Sequence, residues 1–481
     1  MVTLAVLIVG ASLLASLPYW LPSAVLGLRM RIFTWINGEE GMAIPGKLVD
    51  AAQLKRLYSH PAANGRSRGA ALSDLFWYWL SPGAHLHQEH LEPGEEYEEV
   101  ARTTRRILSL PRKTAEDWVA RCVTDVVGQA PPSVSVVRLR DLMMPIWAEF
   151  YYRLVFCEPC PVGARDLIVG NANDVVTALK CCSLRHMERR YRLTRFLVDK
   201  VESGAVPHDL PVHLSAREQA LYLQGTFFNT AVVQMSEAMA HLLLALAKHP
   251  HVQDHLASNL KDDDYLDRVI DETLRLYPLF GIAHRITSAE IRLGERTVLP
   301  RGSVLCFSYP AYHRAGFEDP EVFDPDRWKT VSPREANYIP FGIATNRPCP
   351  AQGLAPVTMR AAAREMVKRF ALYSSVSHTR SIPNRGPCLL IPRTGQSGSP
   401  PRKLLLFALR LRDRWEDVWR SIVQLVLGTY MVWDARRLRL CERYFEAQPL
   451  TAREPGPRPT PALSEPDRGC GCPHQNGSLR L

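Results

Sequence analysis

The sequence predicts a mainly α-helical fold with small peripheral β-sheets, and three observations carry that expectation. Ser215-x-x-Glu218 is a capping box that opens a helical run reaching Lys248, where His249-Pro250 stops it. At 1.5 Å per residue such a helix is roughly 50 Å long, enough to cross a whole domain. A second helical pattern passes through Leu266, Val269, Ile270 and Leu274 and ends at Pro278. Short extended segments follow at 290–293 and 297–299, linked by Gly294-Glu295, and then at 303–307.

The chain has 481 residues, 46% hydrophobic and 22% charged, the make-up of a globular protein with a large core. Its formal charge of +10 suits an anionic membrane surface, an acidic protein or nucleic acid without choosing among them. No zinc-finger spacing or RNA-binding signature is present, so no nucleic-acid partner is expected. The 11 cysteines are odd in number and irregularly spaced, which argues against a disulfide framework and for a reducing compartment. Cys157-x-x-Cys160 lacks a second pair of ligands at zinc spacing, and Cys181, Cys182 and His186 are poor substitutes. Ordinary buried thiols are expected there.

Both ends depart from this pattern. Residues 2–28 carry no charge, and Arg29 and Arg31 follow directly. An apolar run longer than ~20 residues can cross a bilayer, and the positive start of a cleavable signal is missing. A single-pass anchor over 1–29 is favoured over a hairpin in one leaflet. Its flanking cations place the rest of the chain in the cytosol, at the endoplasmic reticulum in a eukaryote. Pro18, Tyr19, Trp20 and Pro22 read as the interfacial end of the segment. Residues 401–447 read as a basic amphipathic extension of one or two helices, with a stripe of Leu411, Trp415, Val418, Ile422 and Leu425. Such an extension either lies on a membrane or packs on the protein's own domain. Residues 448–481 have a disordered composition; Cys470, Cys472 and His474 there are open to lipid or metal, with an inert tail the simpler reading.

Chemistry concentrates in the remaining domain, 30–400. Cys349 stands in a Gly- and Pro-rich loop just ahead of a helical pattern, two residues after Arg347 and eight after Phe341. A thiolate that ligates iron needs N–H groups, a cation or a helix N-terminus nearby; taken alone, the loop fits a buried cysteine in a tight turn equally well. Two further motifs weigh in. Glu272-x-x-Arg275 can pair on one helical face, and Arg327, in Phe323-Asp-Pro-Asp-Arg-Trp328, can close a buried Glu-Arg-Arg network.

In that order and spacing the motifs resemble the cytochrome P450 family, over roughly residues 42–400. The resemblance implies the cytochrome P450 fold, haem b (iron protoporphyrin IX) as cofactor, and Cys349 as its axial metal ligand. It makes Glu272, Arg275 and Arg327 the network holding the Cys loop. Arg347 and Arg285 become propionate partners, because a cation offsets the cost of burying each carboxylate. Arg105 or Arg106 is similar to the family's early-helix haem-binding arginine, without the usual Trp or His before it. The loop departs from the family by one extra residue between Phe341 and Cys349, and by Ala351 where glycine is usual. The long helix departs more: counting back from His249-Pro250 puts Ala231, Val233 and Gln234 at the oxygen-activation site. Val233 then replaces the acid and Gln234 the threonine that deliver protons.

The activity implied is that of a monooxygenase placing one oxygen from O₂ on a small apolar, lipid- or terpenoid-like substrate. The thiolate favours O–O cleavage, and a separate reductase supplies electrons. Arg347, Arg360, Arg364 and Lys368 form either its docking face or ordinary solvated charge. Peroxide-using, isomerase or dehydratase chemistry is the alternative that the missing acid–threonine pair allows, and haem binding without turnover is the third.

Overall fold

The computed structural model describes residues 2–38, 40–128, 134–293, 297–393 and 402–447. In chain order, α1 (Val2–Asn37) and β1 (Gly41–Ile44) precede α2 (Ala51–Tyr58), α3 (Ala71–Leu80), α4 (Glu95–Leu108) and α5 (Arg112–Val127). Next come β2 (Ser135–Arg138), α6 (Leu139–Phe156), α7 (Val162–Leu179) and α8 (Met187–Glu202). The long central helix is α9 (Ala216–Leu223), a π-helical segment (Gln224–Ala231) and α10 (Val232–Lys248), followed by α11 (Pro250–Ser258) and α12 (Asp263–Leu276). Then follow β3 (Ile282–Ile286), β4 (Ile291–Leu293), β5 (Thr297–Leu299), β6 (Val304–Ser308) and α13 (Tyr309–Arg314). The described chain closes with α14 (Ala355–Arg369), β7 (Phe370–Tyr373), β8 (Pro387–Pro392), α15 (Arg402–Leu438) and α16 (Leu440–Ala447).

The expected α-rich architecture is therefore observed. One sheet has the order β1-β6-β3, with β1 parallel and β3 antiparallel to β6. A second is antiparallel in the order β2-β8-β7, and β4 pairs with β5 alone. These sheets sit at the edge of a helical core built around α10, whose side chains from Val232 to Ala247 are nearly all buried. α6 packs along α10, and α14 packs against α5. The capping box is present in full, with Glu218 N–H donating to Ser215 Oγ and the Ser215 N–H donating to Glu218. Asp262 caps α12, accepting from the Tyr265 N–H at 3.0 Å.

Several expectations need correction. α1 does not end near Pro18 and Pro22 but runs through both to Asn37, so a boundary at residue 29 falls inside the helix. A proline removes one N–H donor, and the apolar side chains after Pro22 continue the helix along α15. Cys157 is exposed rather than buried, because it ends α6 in the left-handed region at φ 55°. Among the described residues no group of three or more His, Cys, Asp or Glu is arranged to hold a metal ion. Gly294-Glu295 and the tail at 448–481, with Cys470, Cys472 and His474, lie outside the described residues.

Candidate haem-thiolate site

The loop before α14 is shaped by a few specific contacts. Cys349 N–H donates to the Phe341 carbonyl at 2.9 Å, closing the loop across its base. The additional residue is taken up in a tight turn, where Ile343 and Asn346 form an isolated bridge and Arg347 adopts φ 52°. Gly342 has φ 77°, which favours a residue without a Cβ. Asn346 Nδ2 donates to the Tyr58 and Ala63 carbonyls, each at 2.7 Å, tying the turn to α2. Ala351 stays out of the left-handed region, so its Cβ brings no backbone strain. Burial pushes the Cys349 thiol up to about 11, against a backbone contact from Ala351. A bound cation would be what ionises it, since a coordinating thiol is deprotonated outright.

The predicted Glu-Arg-Arg network forms. Glu272 is fully buried and receives Arg275 through Nε and Nη2, both at 2.8 Å, and Arg327 Nε at 3.0 Å. Trp328 Nε1 adds a fourth side-chain donor at 3.1 Å, and the Asp324 N–H a backbone one at 2.9 Å. The network reaches the Cys loop through rings: Trp328 packs on Tyr338 at 4.9 Å, and Tyr338 directly precedes Ile339-Pro340-Phe341. His313 Nε2 accepts the Ile339 N–H at 3.0 Å, fixing the same strand of chain.

The cation cluster matches expectation in part. Arg285 and Arg347 are buried together, but the third member is Arg66. Arg105 is exposed on α4, whose inward position belongs to Thr104, bonded to Tyr222 Oη at 2.8 Å. Arg106 is also exposed and pairs with Asp209. Arg347 donates to the Gln88 and Asn64 carbonyls and lies over the Tyr97 ring at 4.5 Å. Arg285 donates to Tyr58 Oη at 3.0 Å. Burial, then the neighbouring Arg285, lowers Arg66 to about 9 and also lowers Arg347. Glu89 lies among the three; burial raises its carboxyl, but Arg285, Arg66 and Arg347 outweigh that and hold it below the usual range. Glu89 and Glu92, the carboxylates nearest these three guanidiniums, still leave a surplus of positive charge, and Arg285 Nε and His90 Nδ1 are buried polar atoms without hydrogen-bond partners. This donor set fits a buried dianion such as a pair of propionates.

The segment from His87 to Glu92 links this cluster to the long helix. His87 Nδ1 accepts the Glu89 N–H at 3.2 Å, so the neutral ring carries its proton on Nε2. That nitrogen lies 2.8 Å from Thr230 Oγ1 and donates to it. Burial lowers His87 to about 4, which keeps it neutral at pH 7. Between Ala220 and Ala247 of this helix, Gly225, Thr226, Thr230, Ala231 and Gln234 keep partial exposure, whereas Val233 is buried in the core. Gln234 and Ala231 thus share the open stripe and Val233 does not. Neither His87 nor Arg66 is marked by the sequence, and Thr230 is marked only as the head of the stretch that counting back from His249-Pro250 puts at this site. The expected basic docking face does not form as drawn, because Arg347 and Arg360 are buried and Arg360 and Arg364 pair internally with Asp267 and Asp263.

A cysteine loop at the head of a helix, a buried cation cluster and a π-distorted helix with an open stripe thus stand together in this fold. Residues 186–397 match the family model described as Cytochrome P450. The chain is similar to cyclooctat-9-en-7-ol 5-monooxygenase of Streptomyces melanosporofaciens, 31% identical over 141 residues, covering 25% of this chain and 30% of that protein. It is similar to the putative cytochrome P450 135B1 of Mycobacterium tuberculosis, 30% identical over 193 residues, covering 37% of this chain and 40% of that one. The aligned stretch thus spans well under half the length of these relatives. Among solved structures, a variant of cytochrome P450SP alpha aligns with TM-score 0.59 at 17% identity, covering 72% of this chain and 90% of that one. A variant of cytochrome P450 OleT in complex with arachidonic acid aligns with TM-score 0.53 at 14% identity, covering 72% and 83%. These structural likenesses show the fold. Over residues 186–397 the chain is similar to the cytochrome P450 family, and its fold is that of solved cytochrome P450 structures.

Proposed function

We propose that the chain is a membrane-attached haem-thiolate monooxygenase that places one oxygen atom from O₂ on a small apolar, lipid- or terpenoid-like substrate. The observation that carries this reading is Cys349 in a closed loop beside the buried Arg66, Arg285 and Arg347. Cys349 Sγ would ligate haem b, and the three guanidiniums would face its propionates. Bound there, the haem supplies the oxygen chemistry that no side chain can. The chain's own part is to hold and move protons. His87 keeps Thr230 Oγ1 as an acceptor, which leaves the Thr230 hydroxyl hydrogen free to donate into the stripe shared with Ala231 and Gln234. Gln234 can orient a water there but is a poor proton source. Electrons come from a separate reductase. The cyclooctatenol monooxygenase and the arachidonic acid complex support an apolar, lipid-like substrate.

Attachment is through α1, whose Val6–Asn37 stretch is long and apolar enough to cross a membrane. Arg29 and Arg31 favour the catalytic domain on the cytosolic side, at the endoplasmic reticulum in a eukaryote. A peroxide-using, isomerase or dehydratase reaction is the second reading, favoured by buried Val233 and by Gln234 at the usual acid–threonine positions.

The reduced carbon-monoxide difference spectrum of the purified protein tests the ligand. A thiolate-type Soret band is expected, and Cys349→Ser should abolish it; a band without thiolate character overturns the assignment. Product formation with NADPH and a reductase is expected, whereas product with peroxide alone selects the second reading.

A further inference from the structure

α15 is inside out for a helix on a water-soluble protein. Its acidic and amide side chains face the domain. Asp413 accepts from Ser375 Oγ at 2.7 Å and pairs with Arg138 at 3.6 Å. Glu416 also pairs with Arg138, and Gln424 Nε2 donates to the Lys180 carbonyl at 2.8 Å. Asp434 accepts from Tyr78 Oη at 3.0 Å. Its large apolar side chains face outward: Phe407, Leu411, Trp415, Trp419, Val426 and Trp433 are 41–68% exposed. With Ile422 and Tyr430, also exposed, they recur every three or four residues over more than seven turns, forming one continuous stripe. A soluble helix buries such a stripe, and an exposed apolar patch of this length marks an interaction surface.

The position of α1 indicates what covers it. Arg414 Nη1 donates to Tyr19 Oη at 2.8 Å, and Arg436 Nε donates to Asn37 Oδ1 at 2.8 Å. Gly428 lies against Phe33 and Cys181, where an added Cβ would meet both at 3.2–3.3 Å. These contacts advance together along both chains, so α1 and α15 run parallel and adjoining. α1 adds Trp20, Leu26, Met30 and Trp35 to the outward apolar surface. The exposed charged side chains of α15 among the described residues, such as Lys403, Arg410 and Arg414, are all cations. Tryptophan and tyrosine beside such cations suit the headgroup level of an anionic leaflet.

We infer that α15 is a second membrane-embedding element. With the Tyr19–Asn37 half of α1 it forms a two-helix apolar face set against the bilayer, its stripe among the acyl chains and its cations at the phosphates. The inference rests on the membrane attachment proposed above for α1. Through Asp413, Glu416, Gln424 and Asp434 it fixes the haem domain rigidly against the bilayer instead of leaving it on a flexible tether.

Site-specific photocrosslinking of the full chain in phosphatidylcholine–phosphatidylserine vesicles tests this. Benzoylphenylalanine is placed singly at Trp419, at Val426, at Ile8 on α1, and at Val298 on the β4–β5 hairpin. Phospholipid adducts are expected at Trp419, Val426 and Ile8, with none at Val298. Adducts at Ile8 alone overturn the role of α15 and leave the anchor standing; no adduct at any α1 or α15 position removes the membrane reading itself. Crosslinks from Trp419 or Val426 to a second protein chain overturn the proposal in favour of a dimer. The variant carrying Leu411→Glu, Trp419→Glu and Val426→Glu should partition at least about tenfold less onto the vesicles. Those side chains are already exposed, so its carbon-monoxide spectrum should be unchanged; unchanged partition overturns the proposal.

Discussion

At the scale of single residues, the oxygen-activation site is decided by which side chain can give up a proton. Val233 cannot, and Gln234 holds its protons too tightly. Thr230 stands one helical turn earlier, and the His87 tautomer leaves its hydroxyl hydrogen available. Thr230→Val should therefore cut product formed per electron consumed by about a hundredfold, the scale of general-acid assistance. The carbon-monoxide spectrum should not change. Gln234→Thr should bring little gain, because an alcohol is already present. A rise in coupled turnover for Gln234→Thr, with no loss for Thr230→Val, would count against Thr230. None of this was legible in the chain. His87 and Thr230 are 143 positions apart, and a histidine in a loop carries no local sign of its partner. Arg66 was equally silent, whereas Arg285 and Arg347 stood close in sequence to motifs with known spacing.

Whole elements were easier to anticipate where the signal was local. The capping box at Ser215 and Glu218 sits inside one turn, and Pro250 and Pro278 mark helix ends by their own chemistry. The π-helical segment was not visible, because a widened turn leaves apolar residues on both sides of it. Hydrophobic periodicity revealed a stripe on α15 but not which way it points: Val418 is buried while Leu411, Trp415 and Ile422 are exposed. The Glu272 network joins α12 to the chain before the Cys loop, so its loss should be felt at both. Arg327→Ala removes one cation from a fully buried carboxylate that keeps Arg275 and Trp328, so the loss should stay below about 3–5 kcal/mol, the cost of leaving such a charge unpaired. The expected result is a lower denaturation midpoint together with reduced haem content after purification. Full haem content in Arg327→Ala would mean that Arg275 and Trp328 hold Glu272 without it.

Across the whole molecule, imidazoles sealed in the core make stability depend on acid. Burial lowers His241 and His313 to about 3 each, and both lie outside the Cys loop and the arginine cluster. His241 Nδ1 contacts His378 Nε2 at 2.8 Å, and His313 supports Ile339. In the unfolded chain each ring titrates near 6.5 (a general value), so below about that pH the unfolded state binds protons that the folded state refuses. Stability is therefore fully present above pH 6.5 and falls as pH drops towards the folded values. Each ring contributes a loss of about 1.4 kcal/mol by pH 5.5. Asp271, raised to about 6 by burial, acts in the opposite direction between about pH 4 and 6. The imidazole share is thus best read as a difference. Gln can still accept the Ile339 N–H, so His313→Gln keeps a partner for that donor while removing the titrating group. Measured by denaturant unfolding, the stability of wild type relative to His313→Gln should fall by about 1.4 kcal/mol between pH 7.5 and 5.5. A constant difference across that range would mean that His313 takes up a proton in the folded protein as readily as in the unfolded one.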